Sequence, residues 1–209
     1  MASVVQPRQE PRFRCREVHI RDTDLGKSER SGLGSQLREH GLTLQLDRRG
    51  HLTILETRRL RWPDEGACAA TASSLAGRGA LRDATIELQG PLGAGKTTFV
   101  RHLLRALGVH GLVKSPTYAL LEPYEVAFGD APLRVSHFDF FRFDDPQEWE
   151  DAGFRDVFAS PGLKLVEWPE KAAAFLPESD LRITIEPGID ERRDVRLDAA
   201  TAAGRELLG

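Results

Sequence analysis

The chain has 209 residues, of which 40% are hydrophobic and 29% are charged, and its formal net charge at pH 7 is −3. These proportions are close to those of globular proteins, and they exclude a fibrous repeat or disorder over the whole length. No apolar run approaches membrane-spanning length and no signal-peptide core follows Val4 and Val5, so we expect a cytoplasmic protein without a membrane anchor.

Residues 1–50 differ in composition from the rest of the chain. They are rich in Arg, Gln, Gly and Ser and show no sustained apolar periodicity, which predicts a disordered or mobile extension. The alternative is a basic binding arm. Residues 1–61 have a net charge of +5 and residues 62–209 a net charge of −8. The acidic main part argues against tight, direct binding of nucleic acid by its own surface.

Residues 51–209 are predicted to form one α/β domain with a mainly parallel central sheet flanked by helices. After a first strand at 52–55, a helix is expected to open at 63–65 and to end by Gly77. A strand at 84–88 precedes a glycine-rich segment, and apolar spacing predicts a helix over 97–107 closed by Gly108. Further strands are predicted at 118–121, 133–138, 163–166, 181–185 and 194–197, the last two as an antiparallel hairpin at one edge.

The glycine-rich segment matches the phosphate-binding pattern G-x-x-x-x-G-K-[ST] at every fixed position. It consists of Gly90, Pro91, Leu92, Gly93, Ala94, Gly95, Lys96 and Thr97. In such a loop the backbone amides surround the phosphates of a nucleotide, and the following helix adds its positive N-terminal end. Lys96 would then neutralise the β- and γ-phosphates, and Thr97 would supply a hydroxyl ligand to Mg²⁺. The alternative is a glycine-rich turn with an exposed lysine.

Two acids follow predicted strands and are candidates for magnesium chemistry. Asp139 follows the strand at 133–138, and Glu167 follows the strand at 163–166. The carboxyl ends of parallel strands form the ligand crevice of an open α/β sheet, so both side chains are expected to face the glycine loop. The alternative for each is a solvated acid at a strand end.

Three other residues each have a functional and a structural interpretation. Thr117 occupies the position at which other P-loop proteins place a threonine that senses the γ-phosphate, although as bare sequence it is a turn before a strand. His137 is interpreted as a satisfied sheet histidine. Trp168 is expected either in the core or as a lid over the site.

The absence of one residue type narrows the choice of nucleotide. The chain contains no asparagine, so the N-K-x-D motif that reads guanine in GTPases is missing. A D-x-x-G pattern at 47–50 precedes the loop and is therefore in the wrong order for a GTPase. The sequence favours ATP.

Four motifs now stand in order: the loop 90–98, Ser-Pro-Thr-Tyr at 115–118, His-Phe-Asp-Phe-Phe-Arg at 137–142, and Leu-Val-Glu-Trp-Pro-Glu at 165–170. Together they closely resemble the TsaE (YjeE) family, small bacterial ATPases needed to make threonylcarbamoyladenosine in tRNA beside the anticodon. The resemblance covers about residues 52–208 and implies a P-loop NTPase fold. One departure is Phe141, where the family usually has tyrosine.

The resemblance also implies roles for individual residues. Thr97 and Glu167 would ligate Mg²⁺, Asp139 would act as the Walker-B-like acid, and Thr117 would lie near the γ-phosphate. With Lys96, the two acids form the expected catalytic set. Further positions are implied to lie near the nucleotide: the loop residues, Thr98, Trp168 and, less securely, Glu65 and Arg192.

The family's ATPase is not itself the modifying enzyme. The resemblance implies a complex with the TsaB and TsaD proteins, in which TsaD transfers the threonylcarbamoyl group and ATP hydrolysis resets the complex. Contact with tRNA would then be indirect, and we expect weak hydrolysis by the isolated chain. Two alternatives stay open: a small-molecule kinase, and a nucleotide-gated adaptor that binds ATP without hydrolysing it.

Overall fold

The computed structural model describes residues 56–209 in full and, before them, the backbone of two short strands at 44–46 and 52–54. These two strands pair antiparallel as a separate two-stranded sheet, with Leu46 opposite Leu52. Residues 1–43, 47–51 and 55 lie outside the described residues, and with them nearly all of the predicted extension. No helix in the described part of the chain is long and apolar enough to cross a membrane.

Nine strands and five α-helices are described. The strands are β1 (Leu44–Leu46), β2 (Leu52–Ile54), β3 (Thr57–Trp62), β4 (Thr85–Gln89), β5 (Leu121–Phe128), β6 (Ala131–Asp139), β7 (Leu163–Glu167), β8 (Leu181–Pro187) and β9 (Arg193–Ala199). The helices are α1 (Glu65–Ala76), α2 (Lys96–Ala106), α3 (Pro146–Asp151), α4 (Phe154–Ala159) and α5 (Ala202–Leu208).

The main sheet has seven strands in the order β3-β9-β8-β4-β7-β6-β5. Its four central strands, β8, β4, β7 and β6, run parallel to one another. Strands β9 and β3 extend it antiparallel on one side, and β5 does so on the other. The predicted mainly parallel α/β fold with an antiparallel edge near the C-terminus is confirmed. A second antiparallel edge at β5 was not predicted.

The two helices next to the site form for local reasons. Helix α1 begins after Asp64, whose carboxylate accepts a hydrogen bond of 2.9 Å from the amide of Ala67, and this cap satisfies one of the free N–H groups of the first turn. Helix α2 is amphipathic and buries four apolar side chains at helical spacing: Phe99, Val100, Leu103 and Leu104. It ends before Gly108, whose φ of +93° favours glycine.

The apolar core lies on both faces of the sheet. One cluster joins α1, α2 and one sheet face, where Ile86, Leu165 and Ile183 are fully buried. The other cluster is aromatic and joins Phe138 and Val166 to Phe140, Phe143, Trp149 and Phe154. Because successive side chains of a strand point to opposite faces, Leu165 and Val166 contribute to different clusters. The site lies where the carboxyl ends of the central strands emerge between these layers.

One predicted strand is wrong in position. The segment 118–121 was expected to be extended, but residues 117–119 form a turn and β5 begins only at Leu121. The turn is closed by a hydrogen bond of 2.6 Å from the amide of Leu120 to the carbonyl of Pro116, and Leu120 has a φ of +61°. This turn directs the hydroxyl of Thr117 towards Asp139 instead of continuing the sheet.

Candidate active site

The glycine loop joins β4 to α2 and is shaped by backbone conformations that favour glycine. Gly90, Gly93 and Gly95 have φ values of +139°, +77° and +112°. At Gly90 a side chain is also excluded sterically, because a Cβ there would lie 2.2 Å from the carbonyl oxygen of Ile185. The loop therefore packs tightly on β8, and its first glycine is required for both conformation and space.

Lys96 is folded back onto the loop. Its Nζ donates to the carbonyl oxygens of Gly90 and Pro91 at 2.6 and 3.0 Å and lies 3.7 Å from the centroid of the Trp168 ring. Burial lowers the pKa of Lys96, and the nearby carboxylates of Glu167, Glu170 and Asp139 partly oppose this effect. The ammonium group is thus held beside the loop by two carbonyl oxygens and an aromatic ring.

Glu167, the last residue of β7, lies directly behind the start of α2. Its Oε2 accepts a hydrogen bond of 2.9 Å from the hydroxyl of Thr97. Its Oε1 is 2.9 Å from Nε2 of His137, a fully buried residue of β6. The expected interpretation of His137 as an ordinary sheet histidine therefore misses its contact with a candidate site residue.

Asp139, the last residue of β6, is the register partner of Glu167 on β7. Its Oδ2 accepts hydrogen bonds from the hydroxyls of Thr117, at 2.8 Å, and Ser115. Its Oδ1 accepts from the amide of Phe141 at 2.9 Å. The segment before β5 is thereby tied to the acid at the end of β6.

These groups line one cleft of about 250 Å³. Its walls comprise Leu92, Gly93, Ala94, Gly95, Lys96, Thr97, Thr98, Ser115, Thr117, Asp139, Phe141, Glu167 and Trp168. The sequence predicted eleven of these residues as part of the site, and the cleft brings them together from the loop, from the ends of two strands and from the turn before β5. A cleft that combines an amide-rich loop, a lysine and paired acids suits a polyphosphate with a cation.

The donor set fits a magnesium ion. Asp139 and Glu167 are only 3% and 2% exposed, so two carboxylates lie side by side with little solvent. Lys96 is directed to the loop carbonyls and not to either acid. Thr97 adds a hydroxyl oxygen next to Glu167. Mg²⁺ prefers such oxygen ligands and takes only one or two carboxylates from a protein, the rest being water and phosphate.

Two aromatic contacts border the cleft. Trp168 has a φ of +59° immediately after β7, which turns its side chain over the loop, and its ring lies 4.9 Å from that of Phe141. Outside the cleft the guanidinium of Arg142 lies 4.5 Å from the ring centroid of Tyr118. Phe141 therefore contributes a packing face beside Trp168, where a tyrosine hydroxyl is usual in the family that the sequence resembles.

Two predicted nucleotide neighbours lie apart from the cleft-lining residues. The carboxylate of Glu65 accepts a hydrogen bond of 2.8 Å from Nε2 of His102. Arg192 bonds to the carbonyl of Ile189 and the carboxylate of Asp190 at the tip of the β8–β9 hairpin. Their proximity to a bound nucleotide stays a prediction.

Sequence reasoning did not select Arg193 or Ser115 as site residues. Arg193 donates from Nε to the carbonyl oxygen of Ala94 in the glycine loop at 3.0 Å. Ser115 shares the Oδ2 of Asp139 with Thr117. A signal for Ser115 was its hydroxyl two residues before Thr117, within a motif already noted. No local signal separates Arg193 from Arg192.

Comparison with known proteins adds independent information. Residues 62–195 match the family model described as threonylcarbamoyl adenosine biosynthesis protein TsaE. The chain is 42% identical over 123 residues to the tRNA threonylcarbamoyladenosine biosynthesis protein TsaE of Haemophilus influenzae, covering 59% of this chain and 75% of that protein. It is 36% identical over 114 residues to the protein of the same name from Bacillus subtilis, covering 54% and 68%.

A solved structure is also similar. The crystal structure of YdiB from Bacillus subtilis superimposes with a TM-score of 0.57 at 26% sequence identity. The match covers 74% of this chain and 93% of that chain. The matched family region runs from the end of β3 into β9 and so contains the loop, both acids and Trp168.

Proposed function

This chain belongs to the TsaE family, and from that membership we propose that it binds ATP with Mg²⁺ and hydrolyses ATP in support of threonylcarbamoyladenosine formation in tRNA. The observation that carries the proposal is the convergence of Thr97 with Glu167, whose Oγ1 and Oε2 are 2.9 Å apart. It joins the phosphate-binding loop to a strand-end acid, which is the pairing that a magnesium nucleotide requires.

Binding of the phosphates rests on the loop and on Lys96. The left-handed conformations at Gly93 and Gly95 permit the close backbone approach that amide-to-phosphate hydrogen bonds need. Lys96 leaves the carbonyls of Gly90 and Pro91 and donates to phosphate oxygens instead. Because its ammonium group is already partly desolvated, little further hydration is lost when it binds the anion.

The two acids have different roles, one towards the cation and one towards the attacking water. Glu167, with the hydroxyl of Thr97, holds the cation side of the cleft. Mg²⁺, when bound with ATP, neutralises charge on the β- and γ-phosphates. Asp139 lies on the side of Thr117 and Ser115, where its carboxylate accepts a hydrogen bond from the attacking water. The water oxygen bonds to the γ-phosphorus, the bond to the β–γ bridging oxygen breaks, and the water proton passes to phosphate through Asp139.

Partners and place in the cell complete the proposal. We assign the chain to the cytoplasm, in a complex with TsaB and TsaD. In this complex the two partners, and not this chain, contact the tRNA. The net charge of −8 over residues 62–209 supports indirect contact with tRNA, because an acidic surface repels a phosphate backbone. Partner binding would complete the geometry for hydrolysis, which explains the weak activity expected of the chain alone.

The test is release of phosphate from ATP by the purified chain, alone and with TsaB and TsaD, under multiple turnover. We expect slow release alone and faster release in the complex, with Asp139→Ala and Glu167→Ala each lowering the rate at least 100-fold. Arg155→Ala is the matched control, because Arg155 pairs with Glu150 at an exposed surface site and pairs of this kind contribute little.

Other outcomes would replace the proposal. A phosphorylated acceptor in place of free phosphate would identify a kinase. Nucleotide binding without turnover, even in the complex, would identify an adaptor. A third outcome concerns reconstituted tRNA modification. If repeated cycles proceed equally well with Lys96→Ala, or without this chain, the chain does not act in the pathway.

A further inference from the structure

His137 is a buried polar residue that the proposed chemistry does not use. It lies in the middle of the sheet on β6, is 0% exposed, and its Nδ1 has no hydrogen-bond partner among the described residues. Within the described part of the chain, its side chain makes a single hydrogen bond, between Nε2 and Oε1 of Glu167 at 2.9 Å. A half-satisfied imidazole in an apolar sheet is costly, so this one contact must account for its presence.

The sheet register explains why the contact forms. His137 is paired with Leu165, and Asp139 is paired with Glu167, on the parallel strands β6 and β7. Residues two apart on a strand share a face, so the imidazole and both acids lie on the face that packs against α2. His137 lies two residues before Asp139 on β6, further from the cleft, and contacts Glu167 on the side of the carboxylate that faces away from Thr97.

Glu167 is thereby held at both oxygens. A carboxylate can only accept, so Nε2 of His137 carries the hydrogen in its bond to Oε1. Oε2 accepts from Thr97. With both contacts in place the carboxylate plane cannot rotate freely. Loss of the rear contact would leave the side chain fixed only through Thr97, which is itself a candidate ligand of the cation.

We infer that His137 is a positioning residue, which fixes Glu167 so that Oε2 faces Thr97 and the cation side of the cleft. The inference rests on the proposed function, since it concerns the orientation of a residue assigned to Mg²⁺. Groups that hold a metal ligand from behind typically change metal affinity by 10- to 100-fold when removed. The contribution of His137 should therefore appear in the Mg²⁺ dependence of nucleotide binding.

The experiment compares His137→Gln with His137→Asn by binding of a fluorescent ATP analogue. The amide nitrogen of glutamine can reach the position of Nε2, whereas asparagine is one methylene shorter and cannot reach Oε1. Affinity is measured in EDTA and across a Mg²⁺ titration. We expect both variants to bind like the wild type in EDTA. The asparagine variant should need about 10- to 100-fold more Mg²⁺ than the wild type for its half-maximal gain in affinity. The glutamine variant should show a much smaller increase in this Mg²⁺ concentration.

Each other outcome overturns the inference. An unchanged Mg²⁺ requirement in His137→Asn would show that the contact does not position Glu167. Equal losses with and without Mg²⁺ in both variants, or loss of the fold by both variants in thermal unfolding, would show a purely structural histidine. If asparagine alone unfolds the protein, His137→Leu replaces it in the same comparison. A wild type without Mg²⁺-dependent nucleotide binding would instead overturn the proposed function.

Discussion

Trp168 covers the ammonium group of Lys96, with Nζ 3.7 Å from the centroid of the indole ring. This cation–π contact, together with two loop carbonyls, satisfies the lysine in the absence of phosphate. A bound nucleotide that draws Nζ to its phosphates must therefore break the contact with the ring. Trp168 is placed to report nucleotide binding through its own fluorescence.

We expect ATP with Mg²⁺ to change the tryptophan emission, and Trp168→Phe to abolish this change. The other two tryptophans, Trp62 and Trp149, are 3% and 2% exposed and lie in the two core clusters. Trp149→Phe is the matched control and should keep the nucleotide-dependent signal. A signal that persists in Trp168→Phe would come from Trp62 or Trp149 and would contradict the prediction that Trp168 reports nucleotide binding.

Thr117 should let the site distinguish ATP from ADP. Its hydroxyl bonds to Oδ2 of Asp139, so it lies at the end of the cleft assigned to the γ-phosphate. Replacement by valine keeps the shape and removes the hydroxyl, at a cost of about 1 kcal/mol for one hydrogen bond. We expect the ratio of ADP to ATP dissociation constants to fall about fivefold in Thr117→Val. Thr117→Ser should keep it, and equal ratios in both variants would contradict the assignment.

Arg193, and not Arg192, should support the phosphate-binding loop. Arg193 donates to the carbonyl of Ala94 at 3.0 Å, whereas Arg192 contacts Ile189 and Asp190 in its own hairpin. We expect Arg193→Ala to weaken ATP binding roughly three- to tenfold in a titration, as the loss of one charge-assisted hydrogen bond at a part-exposed site suggests. Arg192→Ala is the matched comparison. A larger loss there would favour the prediction made from the sequence.

How far the site could be predicted depends on whether its determinants are local. The loop is a local feature, because its glycines and Lys96 follow one another between a strand and a helix. The strand-end acids were found because a single rule places them at one edge of a parallel sheet. The contacts of His137 and Ser115 were not found, because they join residues 30 and 24 positions apart. The first depends on the pairing of β6 with β7, and the second on the turn before β5.

The misplaced strand at 118–121 and the two short helices that were not predicted have related causes. Helices α3 and α4 have six residues each, too few for an apolar period to be visible. Arg193 is the first residue of β9 and Arg192 lies just before the strand, so their different contacts depend on where the strand begins. No spacing in the sequence fixes that boundary. The turn at 117–119 depends on Asp139, which lies in a later strand.

Cys68 should be unreactive in the native protein and should impose a pH dependence on stability. Burial, reinforced by the carboxylate of Glu65, raises the pKa of the Cys68 thiol from 9.0 to about 12. The unfolded chain therefore releases this proton first as the pH rises above 9, so the free energy of unfolding falls between pH 9 and pH 12. The loss attributable to Cys68 should be about 1 kcal/mol between pH 8 and pH 10.

The measurement is urea denaturation at both pH values for the wild type and Cys68→Ala. The alanine variant should lack this part of the decline, whatever its absolute stability. Alkylation at pH 8 in a Cys15→Ser background should be slow until urea is added. Rapid alkylation of the native protein would contradict the burial of the thiol.

Gly90 should be the most sensitive position of the loop to a single added methyl group. Its φ of +139° is unfavourable for alanine, and the new Cβ would lie 2.2 Å from the carbonyl oxygen of Ile185. Since that oxygen belongs to the backbone of β8, relief of the clash would require the loop to move away from the sheet.

Gly129→Ala is the control, because Gly129 also has a positive φ, +60°, but nothing lies within 4 Å of an added Cβ. Conformational strain alone should cost Gly129→Ala about 1 kcal/mol, whereas Gly90→Ala should lose at least twice as much in urea denaturation and also lose ATP binding. Equal losses would mean that the loop does not depend on its close contact with Ile185.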